Sequence, residues 1–349
     1  MFQWQMREVQ KDFVLCENKV PALHEGEALV KVAGCGVCHT DISFWHHGVK
    51  TRHELPLTLG HEISGTVVDG PSSLLGKKVI VPAVLPCGEC SFCKKGRSNI
   101  CRKQLMPGND FDGGFASHVK VPARFLCEVP EAALRHYPLE QLSVVADAIS
   151  TPWQVIRKSE IEPGDLAIVI GAGGVGSYGA QLAKVSGAKV LAMDINDNKL
   201  EPLKHIGIHA TLNIKGLDPK AIKEKVKEIA SYINAPASGW KIFEMSGTRS
   251  GQETAFNLLT YTSTLSVVGF TMDKTEVRLS NLMAFDAKII GTWGCRAEFY
   301  PDVVKLIADG QIKIDPFTET FPMSEINEIF RGSVAHKYNK RPVLVPDFK

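Results

Sequence analysis

The sequence predicts an α/β protein of two domains, in which a doubly wound parallel sheet is inserted into a β-rich domain. Three observations predict it. A glycine turn, Gly171-Ala172-Gly173-Gly174-Val175-Gly176, stands between an apolar run and a helical stretch. Short β-rich segments broken by Gly and Pro dominate the chain before about Asp147. The tail beyond about residue 294 is too small to bury a core of its own and is expected to return to the first domain. A chain of 349 residues also exceeds one ordinary core, at roughly 100 to 200 residues per domain. The boundaries that follow are residues 1–146 with 294–349 for the β-rich part, and 147–293 for the doubly wound part.

In chain order, Glu27 to Ala33 reads as a strand that delivers the backbone to Gly34-Cys35-Gly36-Val37-Cys38. Ile63 to Val68, Lys78 to Pro82, Phe115 to Val119 and Phe125 to Pro130 read as further short strands of a barrel-like fold. After a helical stretch, Trp153 to Lys158, the turn Glu162-Pro163-Gly164-Asp165 leads into the buried strand Leu166 to Ile170. The glycine turn, a helix over Ser177 to Ser186 and a strand from Lys189 to Met193 complete a βαβ unit. Strands at Lys241 to Glu244, Leu265 to Gly269 and Lys288 to Thr292 alternate with helices at Lys220 to Ile233 and Gly251 to Leu258. That alternation is the signature of a Rossmann-type sheet.

The formal net charge of +2 and a pI near 8.0 provide no basic surplus for nucleic acid or an anionic membrane surface. No run of 18 apolar residues predicts a membrane span, and no secretory signal is expected of Met1 to Asp12, which mixes Gln, Arg, Glu and Lys. The nine cysteines cluster instead of spacing out, which predicts metal ligation in a reducing cytoplasm and not disulfides.

Cys87, Cys90, Cys93 and Cys101 form a C-x2-C-x2-C-x7-C run. Four soft thiolates repel one another until a divalent cation neutralises them, and a closed tetrahedral sulfur site is the usual structural zinc. Iron-sulfur ligation and a redox dithiol are the competing readings. A second pair, Cys38 in Cys38-His39-Thr40-Asp41 and His61 in Gly60-His61-Glu62, is half of an open metal site; its plain alternative is a buried thiol and a core histidine.

Gly171, Gly173 and Gly176 at G-x-G-x-x-G spacing permit a tight turn, close pyrophosphate approach and helix packing. The helix N-terminus favours the phosphate charge, so Gly171, Gly173, Gly174, Val175 and Gly176 are cofactor-binding candidates. Asp194 ends the next strand, where a carboxylate accepts hydrogen bonds from a ribose diol and repels a 2'-phosphate, favouring NAD over NADP. Its plain alternative is a solvated strand-end aspartate. Hydride transfer from an alcohol also needs the hydroxyl proton removed, which a Lewis-acid zinc with three protein ligands and one open position assists.

In this order and spacing, the Cys38 and His61 motifs, the four-cysteine lobe and the Gly171 to Asp194 fingerprint resemble the zinc-dependent medium-chain alcohol dehydrogenases over essentially the whole chain. The resemblance implies a GroES-like catalytic domain around the nucleotide-binding domain, about two zinc ions per chain, NAD and a homotetramer formed through the nucleotide domain. The family's third zinc ligand, a Cys, Glu or Asp at the start of the joining segment, matches Asp147 in Val144 to Thr151. By the same resemblance Thr40 accepts the alcohol proton, Asp41 partners His61, and Glu62 is an occasional alternative ligand. His39 and Arg341 touch the cofactor pyrophosphate, Thr151 the nicotinamide side, and Lys199 flanks the adenosine ribose. The pattern breaks at Ser43, where many members carry a histidine that relays the proton; water, His46 or His47 are the remaining routes.

Val79 to Val84, Met106 to Asp110, Gly113 to Val119, Val145 to Ala148 and Val268 to Lys274 are similar to a branch of this family acting on a ring secondary alcohol beside a CoA thioester. For such a substrate, addition of water to a dienoyl-CoA at the same zinc is a second expectation. CoA phosphates need cations, and Lys50, Arg52 and Arg296 are placed for this, with ordinary solvated charges the favoured alternative.

Overall fold

In the computed structural model, which describes residues 1–348, eight short strands carry the first part of the chain. They are β1 (Phe2–Met6), β2 (Val14–Glu17), β3 (Glu27–Gly36), β4 (Leu57–Thr58), β5 (Glu62–Asp69), β6 (Lys78–Val81), β7 (His118–Pro122) and β8 (Cys127–Glu128). β3 pairs antiparallel with β5 and β7, β5 with β6, and β6 with β8, while β1 joins β2 and β4 in a separate small sheet. β3 runs three residues beyond its predicted end at Ala33, because glycine there admits neighbours that no side chain would. A Cβ on Gly34 would stand 2.5 Å from the Glu140 carbonyl oxygen, and one on Gly36 would collide with the Glu62 carboxylate. The segment predicted as a strand over Phe115 to Val119 joins the β3 ladder only from His118. Before that, Gly113, Gly114 and Phe115 donate to the carbonyls of Thr58, Gly60 and Leu59. Phe13, Phe115 and Phe330 interlock with Trp45 at the end of the helix His39–Trp45, with Phe13 and Phe330 ring centroids 4.7 Å apart.

The second compact unit is Thr151–Trp293. Its strands β9 (Leu166–Ile170), β10 (Lys189–Asp194), β11 (Ala210–Asn213), β12 (Lys241–Glu244), β13 (Thr264–Val267) and β14 (Lys288–Gly291) are all parallel, in the order β11-β10-β9-β12-β13-β14. Every residue of β9 is buried, as a central strand covered on both faces requires. The order reverses between β10 and β12 on either side of β9, and ligands of such sheets bind at the carboxyl ends beside that switch point. Helices Gly176–Val185, Asp197–His205, Pro219–Tyr232 and Arg249–Asn257 return the chain between strands. Asp218 caps the third of these by accepting the Ala221 N–H at 2.8 Å.

From Gly294 the chain belongs to the first unit. After the helix Tyr300–Ala308, β15 (Thr318–Pro322) lies parallel to β16 (Arg341–Val345), and β16 pairs antiparallel with β3. The boundary predicted after Ala146 shifts to Ser150. The turn of 3-10 helix Gln141–Ala146 packs on β3, β5 and β6, and Ser150 Oγ donates back to the Ala146 carbonyl at 3.2 Å, so Asp147 to Ser150 stay with the first unit. Among the described residues no helix is long and apolar enough to cross a membrane.

Candidate active site and metal centres

Cys38 follows β3 and is the N-cap of the helix His39–Trp45. Asp41, three residues on and fully buried, accepts the Cys38 backbone N–H on Oδ2 at 3.0 Å. Its Oδ1 accepts the Gly60 N–H at 3.1 Å and stands 3.2 Å from His61 Nδ1. One carboxylate therefore aligns both halves of the Cys38 and His61 pair, and the Asp41 contact leaves His61 Nε2 as the ligand atom. Asp147, 109 residues from Cys38, brings Oδ2 to 3.6 Å from Cys38 Sγ and 3.6 Å from His61 Nε2. Ligand atoms of Cys38, His61, Glu62 and Asp147 all lie within 4.8 Å of one another.

The electrostatics of this group fit a cation. Burial works against a charged His61, yet Asp41 and hydrogen bonds to Asp147, Asp41 and Cys38 override it and push the imidazole well above its ordinary pKa. A cluster that draws a proton onto a fully buried imidazole is one that a divalent metal would neutralise instead. Burial raises Glu62 to about 7 against the pull of Arg341, whose Nη1 is 2.7 Å from Glu62 Oε1; Glu62 in turn overcomes burial to hold Arg341 charged. Arg341 also donates to the Val37 carbonyl at 3.4 Å. Both residues of this pair stand out in the sequence, but nothing there couples positions 279 apart.

Thr40 is half-buried, its hydroxyl 3.8 Å from Cys38 Sγ, and His39 beside it is exposed. Ser43 Oγ donates to the His39 carbonyl at 2.8 Å, as a serine commonly does to the preceding turn of a helix. The His46 and His47 rings lie 4.9 Å apart just past the end of the helix.

The four cysteines converge, the first and last only 14 positions apart. Cys90 Sγ is 3.5 Å from Cys93 Sγ and 3.7 Å from Cys101 Sγ, and Cys101 Sγ is 3.5 Å from Cys87 Sγ. Backbone N–H groups of Cys87 and Lys103 point at Cys101 Sγ, an arrangement suited to thiolate. The backbone N–H of Cys93 pulls Cys90 down to about 6, while burial pushes Cys93 up to about 12. Four thiols at this range cannot all ionise without a cation, and four sulfurs around one point fit zinc. The lobe is tied down by Arg296, which donates to the Gly96 carbonyl at 2.7 Å and stacks over Phe299, and by Ser98, which donates to Glu298 at 2.6 Å. Of the cations considered for CoA phosphates, Arg296 is thus engaged here and Arg52 pairs with Asp110 at 3.2 Å, whereas Lys50 is exposed.

In the second unit, Gly171 has φ +91, and a Cβ there would stand 2.6 Å from Ser246 Cα. A Cβ on Gly176 would strike the Gly171 carbonyl, whereas Gly173 faces open space, as a residue approached by a pyrophosphate must. Gly174 and Val175 lead from it into the helix. Asp194 holds this turn: Oδ2 accepts the Ala172 N–H at 2.7 Å and Oδ1 the Asn196 N–H at 2.9 Å. Lys199, half-buried, sits in the following helix Asp197–His205, and Thr151 is the second residue of the helix Ser150–Lys158.

Known proteins match this arrangement. Residues 24–131 match the alcohol dehydrogenase GroES-like domain and residues 174–309 the zinc-binding dehydrogenase domain. An alcohol dehydrogenase of Geobacillus stearothermophilus is 31% identical over 345 residues, covering 97% of each chain. Galactitol-1-phosphate dehydrogenase from Escherichia coli superposes with a TM-score of 0.87 at 23% identity over 99% of this chain and 100% of its own. An alcohol dehydrogenase from Escherichia coli CFT073, solved with NADH, gives 0.85 at 22% identity over 99% of both chains. The chain belongs to the zinc-dependent medium-chain alcohol dehydrogenase family, oxidoreductases acting on CH–OH groups.

Proposed function

We propose that this protein oxidises a secondary alcohol to a ketone with NAD. The observation that carries it is the meeting of Cys38, His61 and Asp147 beside the Thr40 hydroxyl. Cys38, His61 and Asp147 hold zinc, with Glu62 as an alternative ligand and a second zinc in the Cys87, Cys90, Cys93 and Cys101 lobe. Bound zinc supplies Lewis acidity that eases loss of the alcohol proton. Thr40 accepts that proton, and because Ser43 is no comparable base, water or His46 and His47 carry it onward. Gly171 to Gly176 receive the NAD pyrophosphate together with His39 and Arg341. Asp194 and Lys199 take the adenosine ribose, and Thr151 the nicotinamide side.

The substrate we propose is 6-hydroxycyclohex-1-ene-1-carbonyl-CoA, oxidised to its 6-oxo form in anaerobic benzoyl-CoA breakdown; its support is the set of segments running from Val79 to Lys274. NADH formation from that thioester, against a panel of simple alcohols and polyols, tests it. Turnover of the panel and not of the thioester would overturn it in favour of a simple-alcohol dehydrogenase. That second reading is favoured by the Geobacillus relative and by the engagement of Arg52 and Arg296 within the protein. Incubating zinc-loaded enzyme with the dienoyl-CoA tests the hydration activity; unchanged dienoyl-CoA would remove it. A homotetramer through the nucleotide domain is supported by the free edge strand β14 and the exposed Phe270, Met272, Met283 and Trp293 of the same unit, and light scattering checks it. Nine cysteines, none in a disulfide among the described residues, support a reducing cytoplasm.

A further inference from the structure

We infer that Tyr300 is a positioning residue of the metal centre, holding in place the peptide that presents Asp147. Tyr300 begins the helix Tyr300–Ala308 and is fully buried in the first unit. Its hydroxyl donates to the Ala146 carbonyl at 2.5 Å and accepts the Ala83 N–H at 3.2 Å. The Ala146 carbonyl also receives Ser150 Oγ at 3.2 Å and, more distantly, the Ala83 N–H at 3.4 Å. Three stretches far apart in the chain, around residues 83, 146 and 300, therefore meet on one carbonyl immediately before Asp147.

The need for such a tie lies in the backbone. The 3-10 turn Gln141–Ala146 ends at Asp147, whose φ of −142 and ψ of −56 leave the helical path. Where the chain leaves the helical path, the repeating bonds of the turn no longer set the plane of the next peptide, and metal ligands depend on neighbouring groups that orient them. Saturating the Ala146 carbonyl with two hydroxyls locks the peptide plane that joins Ala146 to Asp147. Burial raises the Tyr300 hydroxyl well above its ordinary pKa, so it keeps the proton it donates. A phenylalanine would fill the same space; only the hydroxyl serves both Ala83 and Ala146.

This inference rests on the reading of Asp147 as a zinc ligand, and the experiment separates the two. Zinc release to a chromogenic chelator is followed for zinc-loaded full-length protein, for Asp147→Ala, which identifies the phase belonging to this centre, and for Tyr300→Phe. The expected result for Tyr300→Phe is release from this centre accelerated by about tenfold, as for other groups that orient ligands, with the four-cysteine zinc released at its original rate. The cobalt-substituted protein should show a shifted visible spectrum from this centre alone. Release within about twofold of wild type, or equal acceleration at both sites, overturns the inference. If Tyr300→Phe does not fold, Ser150→Ala removes the other hydroxyl on the same carbonyl. Faster release from this centre then supports the inference, and unchanged release overturns it. If Asp147→Ala loses no zinc, the reading of the ligand fails and this inference falls with it.

Discussion

The four-cysteine lobe and the Cys38, His61 and Asp147 centre gather ligands in opposite ways. The lobe takes all its ligands from a stretch whose ends are 14 positions apart, and three of its four cysteines are only partly buried. The other centre joins residues 109 apart and buries both Cys38 and His61. In the lobe the donor set is uniform and closed, which suits a staple for a loop that has few apolar residues to pack. In the other the donors are mixed, a carboxylate aligns thiolate and imidazole, and a hydroxyl stands alongside. A uniform, local site needs spacing alone, whereas a mixed, long-range site needs partners that orient every ligand.

The strongest way to break the contrast is to remove one ligand from each site. Asp147→Ala should reduce kcat/KM by about 10³-fold or more, as loss of a metal that polarises the reacting oxygen requires. Its zinc content should fall by one ion per chain and its circular dichroism should be retained; full activity would exclude Asp147 as a ligand. Cys90→Ser should instead act on the fold. Elemental analysis should again show one zinc lost, now with faster proteolysis within residues 87–101 and a lower melting midpoint. Large proteins lose about 2 to 4 °C per kcal/mol removed. Unchanged proteolysis would argue against a staple.

Asp41→Asn probes the alignment itself. The variant retains bulk and hydrogen-bonding groups but loses the charge that orients His61 and caps the helix behind Cys38, so zinc affinity at that centre should drop by about 10- to 100-fold. Competition with a chelator measures this, and the lobe should not respond. The smallest expected effect lies in the other unit. Asp194→Ala should raise KM for NAD by roughly tenfold, about 1.4 kcal/mol, with little change in kcat. Part of that loss would come from the Ala172 N–H, which Asp194 also accepts. An equal fall in kcat would show that the carboxylate acts on chemistry and not on binding.

Much of this was legible from residue order, and the reason is locality. Leu166–Ile170 has the same limits in sequence and structure because five consecutive apolar residues ahead of a glycine turn admit one reading. The cysteine spacing and the Gly171 to Gly176 turn are equally local. Segments of weaker pattern moved: the strand expected over Phe115 to Val119 begins at His118, and that expected over Phe125 to Pro130 shrinks to Cys127–Glu128. β1, β2 and β11 carried no period strong enough to be read. β11 is half-buried throughout, β2 is mostly exposed and β1 buries only two residues, since small edge sheets and outer strands do not alternate cleanly between core and solvent.

By itself the sequence determined the class of fold, the thiolate-rich lobe and the glycine turn, because each depends on residues within a few positions of one another. Only the tertiary structure decided how the open centre is built. It joins Asp147 to Cys38, sets Arg341 against Glu62 and brings the Tyr300 hydroxyl to the Ala146 carbonyl, across separations of 109, 279 and 154 residues. Contacts of that range leave no period in a sequence; they exist because β16 returns to β3 and the helix Tyr300–Ala308 packs beneath the turn that carries Asp147. The stretch from Cys38 to His61 is therefore a fragment whose geometry, and whose affinity for a metal, is set by chain that arrives much later.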